Sequence, residues 1–400
     1  MKKSFVTVLL VMFIISIPLA ALAAGKDWSH EEKLAKLNKP AVARVYSFYW
    51  ATWTIGTVQL NTYYGGQGSG AFINPDGYLV TNAHVVQFYT HDDKKKWNNL
   101  ALALVRILVT KYNLTQAQAV ALINSGQARI SKINSVNVVI TPGGEQLPFD
   151  LKEIGTPAGE KDGKDVAVIK VEGRNMPTVR LGDSDKIRTG ERIFVAGFPG
   201  DADLGSWGSK NSHQEWSWAP GTISSDKKAS AQGAPLIQLN AEGVKPGNSG
   251  GPVFNREGAV IGLLTFGTQG GPHWAMASRT VQEFVRKAGI GNEQSLTDKA
   301  YKEGLELYWQ GYYSKALSKF EETRRLYAKH SEAEDLIADC QHQIAQKQDR
   351  TYWPDYYLYL IIACLLASLS VSYFVYRRHR LKSKLILHTE QTKEKDKSTE

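Results

Sequence analysis

The stretch Lys245-Pro246-Gly247-Asn248-Ser249-Gly250-Gly251-Pro252-Val253 sets a serine between glycines. A serine hydroxyl is a poor nucleophile until a base takes its proton. The oxyanion that forms on an attacked carbonyl also needs hydrogen-bond donors. Glycines around the serine let the backbone turn so that the amides of Gly247 and Ser249 point at one spot. Tyr78-Leu79-Val80-Thr81-Asn82-Ala83-His84-Val85-Val86 ends an apolar strand at a histidine held by small residues. Lys164-Asp165-Val166-Ala167-Val168-Ile169-Lys170-Val171 places an acid at the mouth of another strand, with Asp162 as a nearby competitor. Singly, these read as a glycine-rich turn, a structural histidine and a strand-entry aspartate. Together they run His, Asp, Ser, each at the edge of a strand.

The elements that must position them are short strands. From about Pro40 to Gly289 apolar runs alternate with turn signals, as in Ala71-Phe72-Ile73 followed by Asn74-Pro75-Asp76-Gly77. Many short strands with close turns predict an all-β barrel or sandwich. Residues 87–135 interrupt this pattern with a partly helical insertion, in which the run after Thr115 reads as a capped helix. From Ser295 the composition turns helical. Ala300, Gly304, Ala316 and Phe320 fall at helix-hairpin spacing and fit one tetratricopeptide-like unit over 297–330, followed by a helix over 331–346. The segment 295–348 reads equally as a site for a protein partner or as a stalk.

At His84, Asp165 and Ser249 the chain resembles the trypsin-like serine peptidases, most closely the HtrA/DegP branch. Gly68-Ser69-Gly70-Ala71-Phe72-Ile73, Leu181-Gly182-Asp183-Ser184 and Val195-Ala196-Gly197-Phe198-Pro199-Gly200 carry the resemblance further. It implies a mainly β fold, a double β-barrel over 25–290 with the site between the barrels. It implies Ser249 as nucleophile, His84 as base and then acid, and Asp165 as the group that orients the imidazole. The oxyanion hole falls to Gly247 and Ser249, with Asn248 beside them. The side chain preceding the cut is expected against Gly243, Val244, Leu263, Leu264 and Thr265; with no acid there, the expected preference is Val or Ala. The chain departs from that branch in having no PDZ pattern after the protease and a longer His–Asp interval.

Both ends of the chain are membrane-directed in sequence. Lys2 and Lys3, the apolar stretch Phe5 to Leu22 and Ala21-Leu22-Ala23 read as a signal peptide over 1–24. Residues 356–376 are free of charge, flanked by tyrosines, and followed by Arg377, Arg378, Arg380, Lys382 and Lys384. About 20 apolar residues span a bilayer core, and a basic cluster marks the cytoplasmic side. The expectation is a single-pass protein of the cell membrane, its protease outside the cytoplasm and a basic tail, 377–400, inside. Much of the net charge of +9 lies in that tail and at Lys2 and Lys3, leaving a nearly balanced middle and no electrostatic case for nucleic acid. The two cysteines, Cys340 and Cys364, have no zinc-type spacing, and no metal, nucleotide or redox motif is present.

Two rival readings carry different consequences. Gly247-Asn248-Ser249-Gly250-Gly251 also satisfies the G-x-S-x-G elbow of α/β-hydrolases, but a helix must follow that elbow and here Pro252 and a strand do. The other keeps the fold and drops the chemistry: a catalytically silent scaffold that recruits partners through its helical segment. The first reading, a membrane-anchored serine endopeptidase acting on polypeptides, with envelope quality control as its expected setting, is the one the intact residues favour.

Overall fold

The computed structural model describes residues 28–200, 216–267, 271–350 and 353–397. The expected signal peptide lies outside the described residues. Residues Ala24–Gln348 form one compact unit.

Helix α1 (His30–Asn38) is capped at Ser29, whose hydroxyl accepts from Glu32 N. The first barrel follows: β1 (Val42–Ile55), β2 (Val58–Phe72), β3 (Tyr78–Thr81), β5 (Asn134–Ile140), β6 (Gln146–Ile154) and β7 (Ala167–Val171). Its hydrogen-bonded order β2-β3-β7-β6-β5-β1 closes through the pairing of β1 with β2, and short β4 (Ala128–Ile130) joins the far end of β1. The second barrel comprises β9 (Arg192–Gly197), β10 (Ser217–Ala229), β11 (Pro235–Ala241), β12 (Pro252–Phe254), β13 (Ala259–Gly267) and β14 (His273–Ala277). Its order β12-β9-β10-β11-β14-β13 closes through β12 and β13, and β8 (Arg180–Leu181) lies parallel to β13. Closure leaves neither ring with an edge strand. The fold is thus two six-stranded antiparallel barrels, as the strand pattern and the resemblance led us to expect.

Side-chain alternation builds the cores. Along β1 one face supplies Ala43 and Val45 to the interior of the first barrel. The same face supplies Tyr49, Ala51 and Trp53 to a separate core further along the strand. Period-two alternation thus gives a single strand two partners. Between β3 and β4 lie α2 (Ala83–Val86), α3 (Asp93–Tyr112) and α4 (Gln116–Asn124). Leu100, Leu104 and Leu108 of α3 and Ala119 of α4 cover that second stretch of β1. Thr115 and Gln118 form a reciprocal cap at the start of α4. A further core joins the barrels, with Val42, Val80 and Val168 from the first, Phe194, Phe254 and Leu263 from the second, and Phe284 from α5 (Ser278–Lys287).

Three helices complete the unit: α6 (Leu296–Trp309), α7 (Tyr313–Leu326) and α8 (Ala333–Ala345). Gly304 lets α7 approach closely, since a Cβ there would lie 2.6 Å from the Phe320 ring. These helices are bonded to the barrels. Asp298 caps α6 through Ser295 and also accepts from Thr178 N at 3.0 Å. Thr297 Oγ1 donates to Asn175 O at 2.7 Å, and Tyr327 OH donates to Glu145. Asn292, in the connection before α6, donates to Ile73 O at 2.9 Å and Val179 O at 2.8 Å.

The remaining described segment is a long helix, α9 (Trp353–Lys397). Within it Tyr359–Lys384 contains an 18-residue window with a mean hydropathy of 2.0 and is long and apolar enough to cross a membrane.

Candidate active site

His84 sits in α2, directly after β3, where the short helix turns the chain away from the sheet. Asp165 lies just before β7, the neighbour of β3 in the first barrel. Pairing Thr81 with Ala167 therefore brings the two residues together. His84 Nδ1 is 2.7 Å from Asp165 Oδ2, and the His84 backbone N–H donates to Oδ1 at 2.9 Å. The Asp165 carbonyl accepts from Asn82 Nδ2 at 2.7 Å. Asp165 is fully buried, while one third of the His84 side chain is exposed. A carboxylate on Nδ1 selects the tautomer with its proton there, which leaves the lone pair on the exposed Nε2. Asp162, the competing acid, lies elsewhere: it accepts from Thr156 Oγ1, and this bond lowers its pKa most.

Thr265 of β13, expected at the substrate pocket, also bonds the residues of the site. Its hydroxyl donates to Asp165 Oδ2, and its carbonyl accepts from Ser249 Oγ at 3.2 Å. It thus joins the buried acid of one barrel to the serine of the other. In sequence it reads as a pocket residue only, with nothing to tie it to Asp165. Only its separation from Asp165 by the whole intervening fold gives it this place.

The serine turn is seated by the first barrel. Ser69 N donates to Ser249 O at 2.7 Å, and Ser69 Oγ donates to Gly247 O at 2.8 Å while accepting from Phe198 N at 2.9 Å. Gly250 has φ +83°, and a Cβ there would lie 2.2 Å from Ser69 O. Gly247 has φ +103°, with Phe198 O at 2.5 Å from its would-be Cβ. Both positions need glycine on conformation and on space.

The same bonds aim two amides. Pro246 O accepts from Gly200 N at 2.8 Å, and Asn248 O accepts from Gly251 N at 2.9 Å. In a trans peptide the N–H points opposite to the C=O. The Gly247 and Ser249 N–H groups therefore face away from those partners, and among the described residues neither has an acceptor. The Asn248 N–H, by contrast, donates to Lys245 O at 3.1 Å. Its side-chain Oδ1 is buried without a partner among the described residues.

The expected pocket residues separate. Leu263 packs in the core between the barrels and does not reach the site. The reason is the strand period: Leu263 and Leu264 point to opposite faces. Leu264 is in the interior of the second barrel, and Val244 packs against the same core. Gly243 lies in an exposed turn with φ +80°. Beside His84, Asp165 and Thr265 opens a cleft of about 470 Å³. Pro157–Gly159, Ser230–Gln232, Leu236 and Phe266 line the rest of it. A separate hollow of about 360 Å³, lined by Asp185, Lys227 and Arg279 among others, shares only Leu236 with this cleft. Among the described residues no cluster of His, Cys, Asp and Glu could hold a metal.

Two barrels, with His84 and Asp165 on the first and Ser249 on the second, frame the class of protein this chain is similar to: residues 68–263 match the family described as trypsin-like peptidase domain. A Pseudomonas putida protein named "Probable periplasmic serine endoprotease DegP-like" is 38% identical over 198 residues, 49% of this chain and 28% of the relative. Relatives of the same name from Marinomonas sp. and Halomonas elongata are 33% and 29% identical over 198 residues. The chain thus covers less than a third of the length of these relatives.

Proposed function

We propose that this chain is a serine endopeptidase of the DegP type in which Ser249, His84 and Asp165 act as the triad. The observation that carries the reading is the bridge through Thr265, which links the carboxylate on His84 to the hydroxyl of Ser249. Rotation of Ser249 about Cα–Cβ moves Oγ from Thr265 O to His84 Nε2. There the imidazole takes the hydroxyl proton as Oγ attacks the scissile carbonyl. Asp165 keeps the ring oriented and stabilises its cationic form. The N–H groups of Gly247 and Ser249 receive the oxyanion, an assignment supported by their lack of any described acceptor. His84 then returns the proton to the leaving amine, the acyl-enzyme forms, and water repeats the cycle in reverse.

The substrate is polypeptide, laid along the cleft between Phe266 and the loop Pro157–Gly159. An extracytoplasmic protease held by the helix over Tyr359–Lys384, with its tail inside, is supported by that segment's hydropathy and by the periplasmic relatives. A role in envelope protein quality control is the use such an enzyme has there. The helical segment α6–α8 serves as a wall of the protease body, a reading supported by its bonds through Asp298, Thr297 and Tyr327. Recruitment of a partner by this segment rests on its helix-hairpin pattern alone.

The test uses the full chain in detergent with a serine-directed fluorophosphonate and unfolded casein, beside Ser249→Ala. Labelling and cleavage that both vanish in the variant are expected. Labelling that persists in Ser249→Ala removes Ser249 as nucleophile, and neither labelling nor cleavage by the parent chain removes the protease reading.

A further inference from the structure

Residues 91–133 lie between the short helix of His84 and strand β5. They hold seven lysines and arginines against two aspartates, Asp92 and Asp93, and no glutamate, a net charge of +5. Lys94, Lys95, Arg106, Lys111, Arg129 and Lys132 are all exposed. Among the described residues no carboxylate makes an ion pair with any of these side chains. Helix α3 within this segment is apolar on two sides. Leu100, Leu104 and Leu108, four apart, face the bed on β1. Leu102 and Val109, seven apart, share the opposite side and are 65% and 37% exposed. Lys95, seven positions before Leu102, and Arg106, four after it, lie on that same side. Trp97 and Tyr112, near the two ends of the helix, are exposed as well.

A helix packed on one barrel needs one apolar face. Leucine and valine standing among unpaired cations on the other face fit a partner that is apolar and anionic at once. A phospholipid surface has that chemistry, acidic headgroups over acyl chains, and Trp and Tyr favour the boundary between the two. A second copy of the chain does not, because it would set like charges against each other. We infer that the outer face of α3, centred on Lys95, Leu102, Arg106 and Val109, docks on an anionic phospholipid surface. The inference rests on the membrane reading of Tyr359–Lys384, a segment that starts eleven positions after Gln348 and so keeps a bilayer at hand. Each cation near such a surface adds attraction that salt screens. Leu102 and Val109 enter the headgroup boundary, so docking removes them from water as well as neutralising charge.

The experiment puts a polarity-sensitive fluorophore on the full chain at Leu102→Cys, in a Cys364→Ser background; Cys340 is buried and does not compete for the label. The chain is reconstituted in vesicles of phosphatidylcholine alone, or of equal parts phosphatidylcholine and phosphatidylglycerol. Emission is expected to move to the blue in the mixed vesicles only, and to return in about 1 M salt, where the Debye length is about 3 Å. Lys95→Glu combined with Arg106→Glu should abolish the shift and leave thermal unfolding unchanged, since both side chains are exposed. The same label at Lys186→Cys, exposed ahead of the second barrel, should not shift. No shift in either vesicle, an equal shift in both, a shift that survives the double variant, or one shared by position 186 overturns the inference. So does a shift produced in detergent by polyglutamate and not by the mixed vesicles, which makes the partner an acidic polypeptide. High-salt washing of the vesicles separates the causes: a retained chain without the shift defeats this inference alone, while a chain that washes off defeats the membrane reading beneath it.

Discussion

At the scale of single residues, Asp165 is held by three donors from three places: the His84 ring, the His84 backbone and Thr265. Thr265→Ala removes one hydrogen bond to a charged group, a loss of about 1.5–3 kcal/mol. We expect kcat/KM to fall by about ten-fold or more, with Thr265→Ser restoring most of it. Asp165→Asn leaves the shape and reverses the hydrogen bond to Nδ1; the expected fall in kcat is about 10⁴-fold, as is known for this substitution in a related triad. Steady-state kinetics on one peptide series checks both. His84, Asp165 and Ser249 stood out in the sequence because each borders an apolar strand or glycine turn whose composition marks it. Thr265 was read only as a pocket residue and Ser69 only within a matching stretch, because the bonds each makes depend on a partner strand that sequence spacing does not specify. Leu263 shows the converse: a position assigned by similarity, turned away from the site by a one-residue change of face.

Elements carry a different kind of information. The strands were readable from alternation and turns, and the helix after Thr115 from its cap, because these signals are local. The pairing of the 14-residue β1 with β2, and the use of its outer half as a bed for α3 and α4, were not. That half binds residues more than 40 positions away, and hairpin length leaves no local mark. Likewise Ser295 and Asp298 read as a helix cap, yet Asp298 also accepts from Thr178. Because such bonds tie α6–α8 to the barrels, damage to a helix core should spread. Phe320, fully buried between α6 and α7, is the test: Phe320→Ala should cost about 3–5 kcal/mol. Thermal unfolding of the variant, followed by both tryptophan fluorescence and loss of activity, should show one transition at lower temperature, not an early partial one.

For the whole molecule, the Ala24–Gln348 unit has its own cores and anchors. A chain ending at Gln348 is expected to stay in solution and retain peptide cleavage, whereas the full chain should remain in the membrane fraction through high-salt washing. Acid should weaken the unit through His330, which packs on Tyr301 at 4.4 Å and faces Glu332 and Lys36. Burial pushes its pKa down to about 3. Below about pH 6.5 the unfolded chain binds a proton that the native ring refuses, so stability present above that pH is lost as pH falls towards 3, by at most about 1.4 kcal/mol per unit. His330→Phe should flatten this slope in urea titrations between pH 7 and 4. The seating of the serine turn on Ser69 has a consequence in time. Ribosomes deliver the N-terminal barrel first, and domains fold roughly as they are made. His84 and Asp165 can meet as soon as β7 pairs with β3, yet Ser249 and Thr265 are still unmade. Under the proposed mechanism, cutting power is therefore the last property the nascent chain acquires, after the bed that receives Ser249 has already set.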